Sequence, residues 1–309
     1  MKSINSILVV VDRGPAAMDA VAKAVRLAES FDAKVELFMC DGERAYALSQ
    51  AYVPTGVEAA RRSCVESAHQ YLDELRRSVG SRRVAITTDA LCESPLYESI
   101  VRKVLREKPD LVIKCASASS SRGRVTFDTT DWQLMRVCPA ALMLTRGRPW
   151  NESPRFAAAI DVSGAESSGL AQVILQAAHL VADASGGELE VLYAESPDLT
   201  DAQREAGART LDNLLGNVTG SASAARILAG NPEVSLPGFA QRRSYDAMFL
   251  GALTHRPGYT AQVGTLTSRL VDALDCDFVL VKPVESRGAV NLSGRAAKSA
   301  APPPTNANS

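Results

Sequence analysis

The feature that most constrains the fold is a short apolar run followed by an aspartate, a turn and an amphipathic stretch, and it occurs twice. In the first copy, residues 6–14, five apolar residues lead into Asp12. In the second copy, residues 156–164, a similar run leads into Asp161. The two aspartates are about 150 residues apart, a period that indicates a duplicated domain and not a short-repeat solenoid.

Apolar runs and helical patterns alternate along each copy. After the first run, the sequence predicts further strands at 34–40, 83–88, 110–115 and 140–145. The second copy repeats this order. Continuous apolar strands of this kind are buried on both faces, so we expect a parallel sheet that is covered by helices on both sides.

The changes in composition along the chain predict its division into units. They are a first domain at 1–147, a linker with Pro, Gly and polar residues at 148–155, a second domain at 156–285 and a tail at 286–309. The tail is small, polar and Pro-rich without periodicity, and we expect it to be disordered.

The bulk composition excludes several classes of partner. Lys plus Arg number 34 and Asp plus Glu number 35, so the net charge is -1 and no basic stripe favours nucleic acid. No apolar run approaches the roughly 20 residues of a membrane span, and no signal-peptide pattern is present. The six cysteines form no Cys-x-x-Cys motif. These features predict a cytoplasmic protein with reduced thiols and without membrane or nucleic-acid partners.

The segment from Gly251 to Thr265 has the pattern of a phosphate-binding loop. It follows an apolar run, and Gly264 directly precedes a helical pattern. Glycine allows close backbone approach to a phosphate, and a helix N-terminus favours an anion. Hydroxyls of Thr265 and Thr267 would add donors, although both could instead serve as helix caps.

Asp161 is expected to face this loop. In an open parallel sheet, ligands bind outside the carboxyl ends of the strands where the strand order reverses. The carboxylate could then accept a hydrogen bond from a ribose hydroxyl. It could equally cap the helix that follows it, and the loop could be only a solvated turn.

These motifs resemble those of the universal stress protein family, specifically its tandem, E-type members, over about residues 5–285. Nucleotide-binding members carry Gly, two residues, Gly, nine residues, then Gly-Ser or Gly-Thr. Gly251 matches the first position and Gly264-Thr265 the last, whereas Thr254 stands at the second glycine. A Cβ at Thr254 would crowd a phosphate or disfavour a left-handed backbone.

The same resemblance implies roles for three further residues. Thr267 matches a position that usually carries a hydroxyl, and Asp161 matches the aspartate that contacts the nucleoside. Ala194 lies in the stretch that corresponds to the adenine-facing segment.

The first half departs further from the family pattern. Counting back from Cys138, taken as the equivalent of Cys276, places Thr126 opposite Gly264, and none of the family glycines is retained. The resemblance therefore implies that a nucleotide, ATP in particular, would bind in the second half, with Mg²⁺ entering only with the nucleotide.

For the fold, the resemblance implies an α/β chain of two tandem Rossmann-like domains. Each would hold a five-stranded parallel sheet of order 3-2-1-4-5 with two helices on each face. The domains would pair along their fifth strands as an intrachain pseudo-dimer, with 142–144 beside 279–281. A further homodimer of two chains stays open.

The sequence is compatible with two non-enzymatic functions, which are the alternatives to an enzymatic one. The first is a non-enzymatic stress-response protein that binds adenine nucleotide in the second domain and whose state is read by partners. The alternative is a stress protein that has lost nucleotide binding and acts as a scaffold or binds another small ligand, apolar or anionic. No nucleophile–base pair occurs at readable spacing, so we expect no enzyme, with weak ATPase activity or autophosphorylation left open.

Overall fold

The chain folds into one ten-stranded sheet with helices on both faces, as seen in a computed structural model. The structure describes residues 3–49, 56–81, 83–116, 127–163, 169–218, 224–254 and 262–282. The predicted tail at 286–309 lies outside the described residues.

The first half of the chain builds one side of the sheet. Its elements are β1 (Ser6–Val10), α1 (Ala16–Phe31), β2 (Lys34–Cys40), α2 (Gly42–Ser49), α3 (Val57–Val79), β3 (Ile86–Leu91), α4 (Leu96–Glu107), β4 (Leu111–Cys115), α5 (Thr129–Val137) and β5 (Ala141–Thr145). The strands are the short, β-branched and apolar runs of the sequence, a composition that suits a buried pleated surface.

The second half builds the other side with the same order of five main strands and four main helices. They are β6 (Arg155–Ala159), α6 (Leu170–Ser185), β7 (Glu188–Glu195), α7 (Asp201–Val218), β8 (Ala224–Ala229), α8 (Pro232–Ala240), β9 (Ala247–Gly251), the short β10 (Leu253–Thr254) and β11 (Gln262–Val263), α9 (Thr265–Ala273) and β12 (Asp277–Val281).

The strand order is β3-β2-β1-β4-β5-β12-β9-β6-β7-β8. This confirms the predicted order 3-2-1-4-5 in each half. Neighbouring strands are parallel except for β5 and β12, which pair antiparallel at the centre of the sheet. Leu142 lies opposite Leu280 and Leu144 opposite Phe278. The predicted pairing along the fifth strands is therefore present, one residue out of the expected register.

The third strand begins later than predicted. It spans Ile86–Leu91, whereas the sequence predicts 83–88. Aspartate has a low propensity for strands, so the sequence predicts that the third strand ends before Asp89. In the structure Lys103 Nζ lies 2.8 Å from the Asp89 carboxylate. This ion pair allows the strand to continue, with Leu91 in register with Cys40 of β2.

Two helical layers cover the sheet. Apolar side chains of α1, α3, α6 and α7 pack on one face, and those of α4, α5, α8 and α9 pack on the other. This agrees with the predicted two helices per face in each half, with α2 as an addition that packs against α3 through Ala45 and Cys64. All six cysteines are free and buried. Within the described ranges, no helix is both long enough and apolar enough to cross a membrane.

Arg146 joins the two halves at the end of β5. Its guanidinium Nη2 donates to the carbonyls of Val271 (2.6 Å) and Leu274 (3.1 Å), at the C-terminus of α9. The same guanidinium stacks over Phe127, 4.3 Å from the ring centroid. A cation in this position satisfies the last carbonyls of a helix and interacts favourably with its dipole.

Lys282 makes the reciprocal contact from the end of β12. Its Nζ donates to the carbonyls of Arg136 (2.9 Å) and Cys138 (2.6 Å), at the C-terminus of α5. Lys282 directly follows β12 as Arg146 directly follows β5. Each half thus caps a helix of the other half, and we call these two contacts the reciprocal caps.

A buried polar cluster adds to this junction. Lys23 of α1 lies 2.7 Å from the Asp277 carboxylate of β12 and 2.6 Å from that of Asp19. Trp150, within the predicted linker, donates from Nε1 to the same Asp277 carboxylate at 2.8 Å. The segment 148–155 is therefore packed between the halves. The division of the chain into two domains stays a prediction, because one sheet runs through both halves.

The reciprocal caps predict a pH dependence of stability that depends on Lys282. Burial lowers the pKa of Lys282 from 10.5 to about 8. Below pH 8 the lysine is protonated in the folded and unfolded states alike. Between about pH 8 and 10.5 the unfolded chain keeps a proton that the folded chain has lost, so stability rises with pH.

The measurement is urea unfolding of wild type and Lys282→Met across this pH range. The difference in unfolding free energy between the two proteins should grow in favour of wild type by up to roughly 3 kcal/mol. Other titrating groups are common to both proteins and cancel. Parallel pH profiles would contradict the prediction.

Candidate functional site

A cavity of about 350 Å³ opens at the carboxyl ends of β6, β7 and β9. Five residues predicted from the sequence line it: Asp161, Ala194, Gly251, Gly264 and Thr267. Leucines make up much of the remaining wall: Leu199, Leu236, Leu250 and Leu266. Its size falls in the range of small-molecule sites, and its mainly apolar wall with a few polar groups is typical of them.

Asp161 stands just beyond β6, half-buried at the cavity wall. Its Oδ1 accepts a hydrogen bond from the Ser163 amide at 2.8 Å, which fixes the carboxylate. The cap on the following helix α6 is not Asp161 but Gly169, without a side-chain hydrogen bond. The predicted alternative role of Asp161 as a cap for this helix is therefore wrong, and Asp161 lines the cavity.

Helix α9 begins at the opposite wall. Gly264 is its N-cap and has no side chain that could accept from the helix, and the first turn of α9 carries no acidic residue. The first N–H groups of a helix lack intrahelical partners, and together with the dipole they attract an anion. Thr265 is the first residue of α9 and is exposed beside these groups.

Thr254 belongs to a hairpin between β9 and α9. Its backbone pairs antiparallel with Gln262, so it is extended. The family position calls for glycine, but the observed conformation is one that threonine adopts readily.

Thr267 has a different role from the predicted one. Its hydroxyl donates to the carbonyl of Gly251 at 2.8 Å, and the residue is buried. Because the hydroxyl proton is already engaged, Thr267 joins the end of β9 to α9 and does not offer a donor to a ligand.

Comparison with known proteins agrees with this architecture. The model of the universal stress protein family matches residues 3–146. Universal stress protein E of Salmonella typhi and that of Escherichia coli K12 are each 22% identical to the chain, over 94% of it and 98% of their own length.

Residues 3–146 match the universal stress protein family, and the chain as a whole is similar to the tandem universal stress protein E.

Solved structures show the same fold. A functionally unknown protein from Pseudomonas aeruginosa PAO1 superposes with a TM-score of 0.72 at 21% identity, covering 93% of this chain and 95% of its own. A universal stress protein from Archaeoglobus fulgidus DSM 4304 superposes with a TM-score of 0.69 at 13% identity, covering 90% and 98%.

The crevices of the two halves differ in their electrostatics. In the first half, Lys114 of β4 is fully buried, 2.9 Å from the Asp131 carboxylate and 3.2 Å from that of Asp12. Asp128, the N-cap of α5, accepts from the Asp131 amide at 2.8 Å, and Asp131 accepts from the Asp128 amide at 3.0 Å. The N-terminus of α5 is therefore closed by two carboxylates in a capping box.

The structure corrects the predicted alignment of the two halves. Helices α5 and α9 and the strands after them superimpose when Asp128, not Thr126, stands opposite Gly264. The two cysteines are not equivalent, since Cys138 caps α5 whereas Cys276 lies just before β12.

The charged cluster of the first half was not predicted from the sequence. The signal that could have found it is the run Asp128-Thr129-Thr130-Asp131 before an apolar helical pattern, which indicates a capping box. A lysine inside the apolar run at 110–115 is the second signal, because a buried lysine requires a partner.

Part of the cavity wall lies outside the motifs that the sequence shows. Leu236 of α8 and Leu199 lie far from the loop motif along the chain, and only the fold brings them to it. Within the described residues, no three His, Cys, Asp or Glu side chains are grouped as a metal site.

Gly251 has a packing reason to be glycine, separate from any ligand. A Cβ at this position would lie 2.9 Å from Cδ2 of the buried Leu170 and 3.6 Å from Cδ1 of Ile174, both in α6. Gly251→Ala should therefore lower the free energy of unfolding by roughly 1–3 kcal/mol without any ligand, measured in urea.

The matched control is Gly238→Ala in α8, where a new Cβ meets nothing within 4 Å. This change should leave stability equal or raise it by about 0.5–1 kcal/mol. Unchanged stability of Gly251→Ala would show that the glycine serves the loop alone.

Proposed function

We propose that the chain is a stress-response protein that binds an adenine nucleotide, ATP in particular, in the second-half cavity. Mg²⁺ would enter only with the nucleotide, and partner proteins would read the bound state. The observation that carries the proposal is the N-terminus of α9, whose N-cap Gly264 has no capping side chain, at the wall of a cavity of about 350 Å³ that Asp161 also lines.

Each part of a nucleotide has a counterpart on the wall. The base would lie among leucines beside Ala194, and a ribose hydroxyl would donate to Asp161. The phosphates would approach the backbone at Gly251 and Gly264 and the N–H groups that begin α9 at Thr265, in the manner of helix N-termini that bind phosphate. Thr254 would contribute its backbone.

The proposal assigns binding and not catalysis to the cavity. Asp161 is the one acidic or basic side chain on the described wall. Acid–base or nucleophilic catalysis would need a second such group beside it, whereas binding does not.

A second candidate is a different small ligand with an apolar part. It is favoured by the wall of Leu199, Leu236, Leu250 and Leu266. Denaturing the purified protein and identifying any released molecule by mass spectrometry separates the two candidates, since a nucleotide and an apolar metabolite differ in mass and ultraviolet absorbance.

Gly264→Asp should weaken nucleotide binding. The new carboxylate would cap α9 as Asp128 caps α5, and it would repel the phosphates. In a calorimetric titration with ATP and Mg²⁺, affinity should fall by at least about tenfold, or 1.4 kcal/mol.

The matched control adds the same charge far from the cavity. Gly216→Asp lies in α7, where a side chain meets nothing within 4 Å, and it should bind as wild type does. Equal binding by Gly264→Asp and wild type would contradict the assigned site. Absence of wild-type binding at millimolar ATP would contradict the nucleotide itself.

A further inference from the structure

The first-half crevice contains a charged cluster of three side chains, one lysine and two aspartates. Lys114 and Asp131 are both fully buried, and Asp12, 42% exposed, lies at the mouth. Lys114 Nζ also donates to the carbonyl of Cys115 at 3.0 Å. The lysine is thus held by two carboxylates and a carbonyl at the carboxyl ends of β1 and β4.

The second half places neutral residues at the equivalent positions. Lys114 pairs with Leu144 across β4 and β5. Leu250 pairs with Leu280 across β9 and β12, so Leu250 is the counterpart of Lys114.

The helices give the second correspondence. Asp131 and Thr267 are each the third residue of their helix, α5 and α9. The N-caps that precede these helices are Asp128 and Gly264. The second half therefore lacks both carboxylates and the lysine at the positions where the first half has them.

A carboxylate at a helix N-terminus does what a bound phosphate does there. It accepts from the free N–H groups and balances the positive end of the dipole. In the first half, Asp128 and Asp131 supply these acceptors, and Lys114 balances the charge of Asp131. An incoming anion would meet two carboxylates and no free donor from the capped amide.

We propose that Lys114, Asp12 and Asp131 form an internal substitute for a bound anionic ligand, which closes the first-half crevice and confines ligand binding to the second half. The identity of the ligand rests on the proposed function, whereas the closure of the first half does not. The chain then binds one ligand, and the first half keeps a single state whether or not that ligand is present.

The protonation of Lys114 agrees with this role. Burial works against its charge, but Asp12 and Asp131 outweigh burial and raise its pKa. The lysine is therefore charged throughout the neutral range.

The first test needs no ligand. Thermal unfolding is compared for wild type, Lys114→Leu, Asp131→Thr and the double variant, which carries the second-half residues. Each single change leaves a buried charge without its partner, so each should lower Tm by several degrees. The double variant should lose less than the sum of the two.

An exposed pair serves as the control for this cycle. Arg209 and Glu205 form an ion pair on the surface of α7, and their cycle should show additive effects. Additive effects at Lys114 and Asp131 as well would overturn the proposal.

The second test transfers the charged pair to the second half. Leu250→Lys with Thr267→Asp places a lysine near Asp161 and a carboxylate at the N-terminus of α9. The variant should unfold as cooperatively as wild type, and its affinity for ATP with Mg²⁺ should fall at least about tenfold below that of the neutral variant Leu250→Met with Thr267→Asn.

The outcomes separate the two proposals. Equal affinity of the charged and neutral variants would overturn the proposal that such a charged pair closes a crevice to an anionic ligand. If wild type binds no ATP, the nucleotide proposal fails, and the ligand-free cycle alone decides whether the internal pair exists as an energetic unit.

Discussion

The antiparallel contact between β5 and β12 is the interaction on which the arrangement of this protein depends. Each half has a parallel sheet whose fifth strand would otherwise be an apolar edge with unpaired N–H and C=O groups. Pairing Leu142 with Leu280 and Met143 with Val279 removes both edges at once. Because this pair is antiparallel, the carboxyl ends of the strands in one half lie on the side of the amino ends in the other. The two crevices therefore open at opposite ends of the strands.

This geometry places the two ends of α5, and likewise those of α9, in different surroundings. The N-terminus of each helix lies at the crevice of its own half, and its C-terminus lies at the junction. There Arg146 reaches the carbonyls of α9, and Lys282 reaches those of α5. A cation at the C-terminus and an anion at the N-terminus both complement the same helix dipole. A ligand at the start of α9 would therefore bind an element whose other end is held by the first half of the chain.

The sequence predicted the parts of this structure that repeat locally. Continuous apolar runs indicated buried parallel strands. The carboxyl ends of these strands indicated that Asp161 and Gly251 would lie at the same crevice. The role of Thr267 was not predictable, because it depends on how closely the Gly251 carbonyl approaches its hydroxyl. Lys114 differs, since a lysine within an apolar strand already indicates a buried partner, although only the fold shows that Asp131 of a later helix supplies it. Counting between cysteines failed because their positions relative to α5 and α9 differ by two residues.

The two crevices show that one backbone supports two electrostatic solutions. A buried ion pair gives little net stability, because the desolvation of two charges offsets most of their attraction. Leu250 and Thr267 occupy the equivalent positions without that cost, so stability alone does not explain Lys114 and Asp131. The two arrangements differ in whether the helix N-terminus stays available. In the first half a capping box satisfies the Asp131 amide, whereas in the second half the N-cap of α9 is a glycine at the cavity wall, and we assign the ligand to the second half because of this difference.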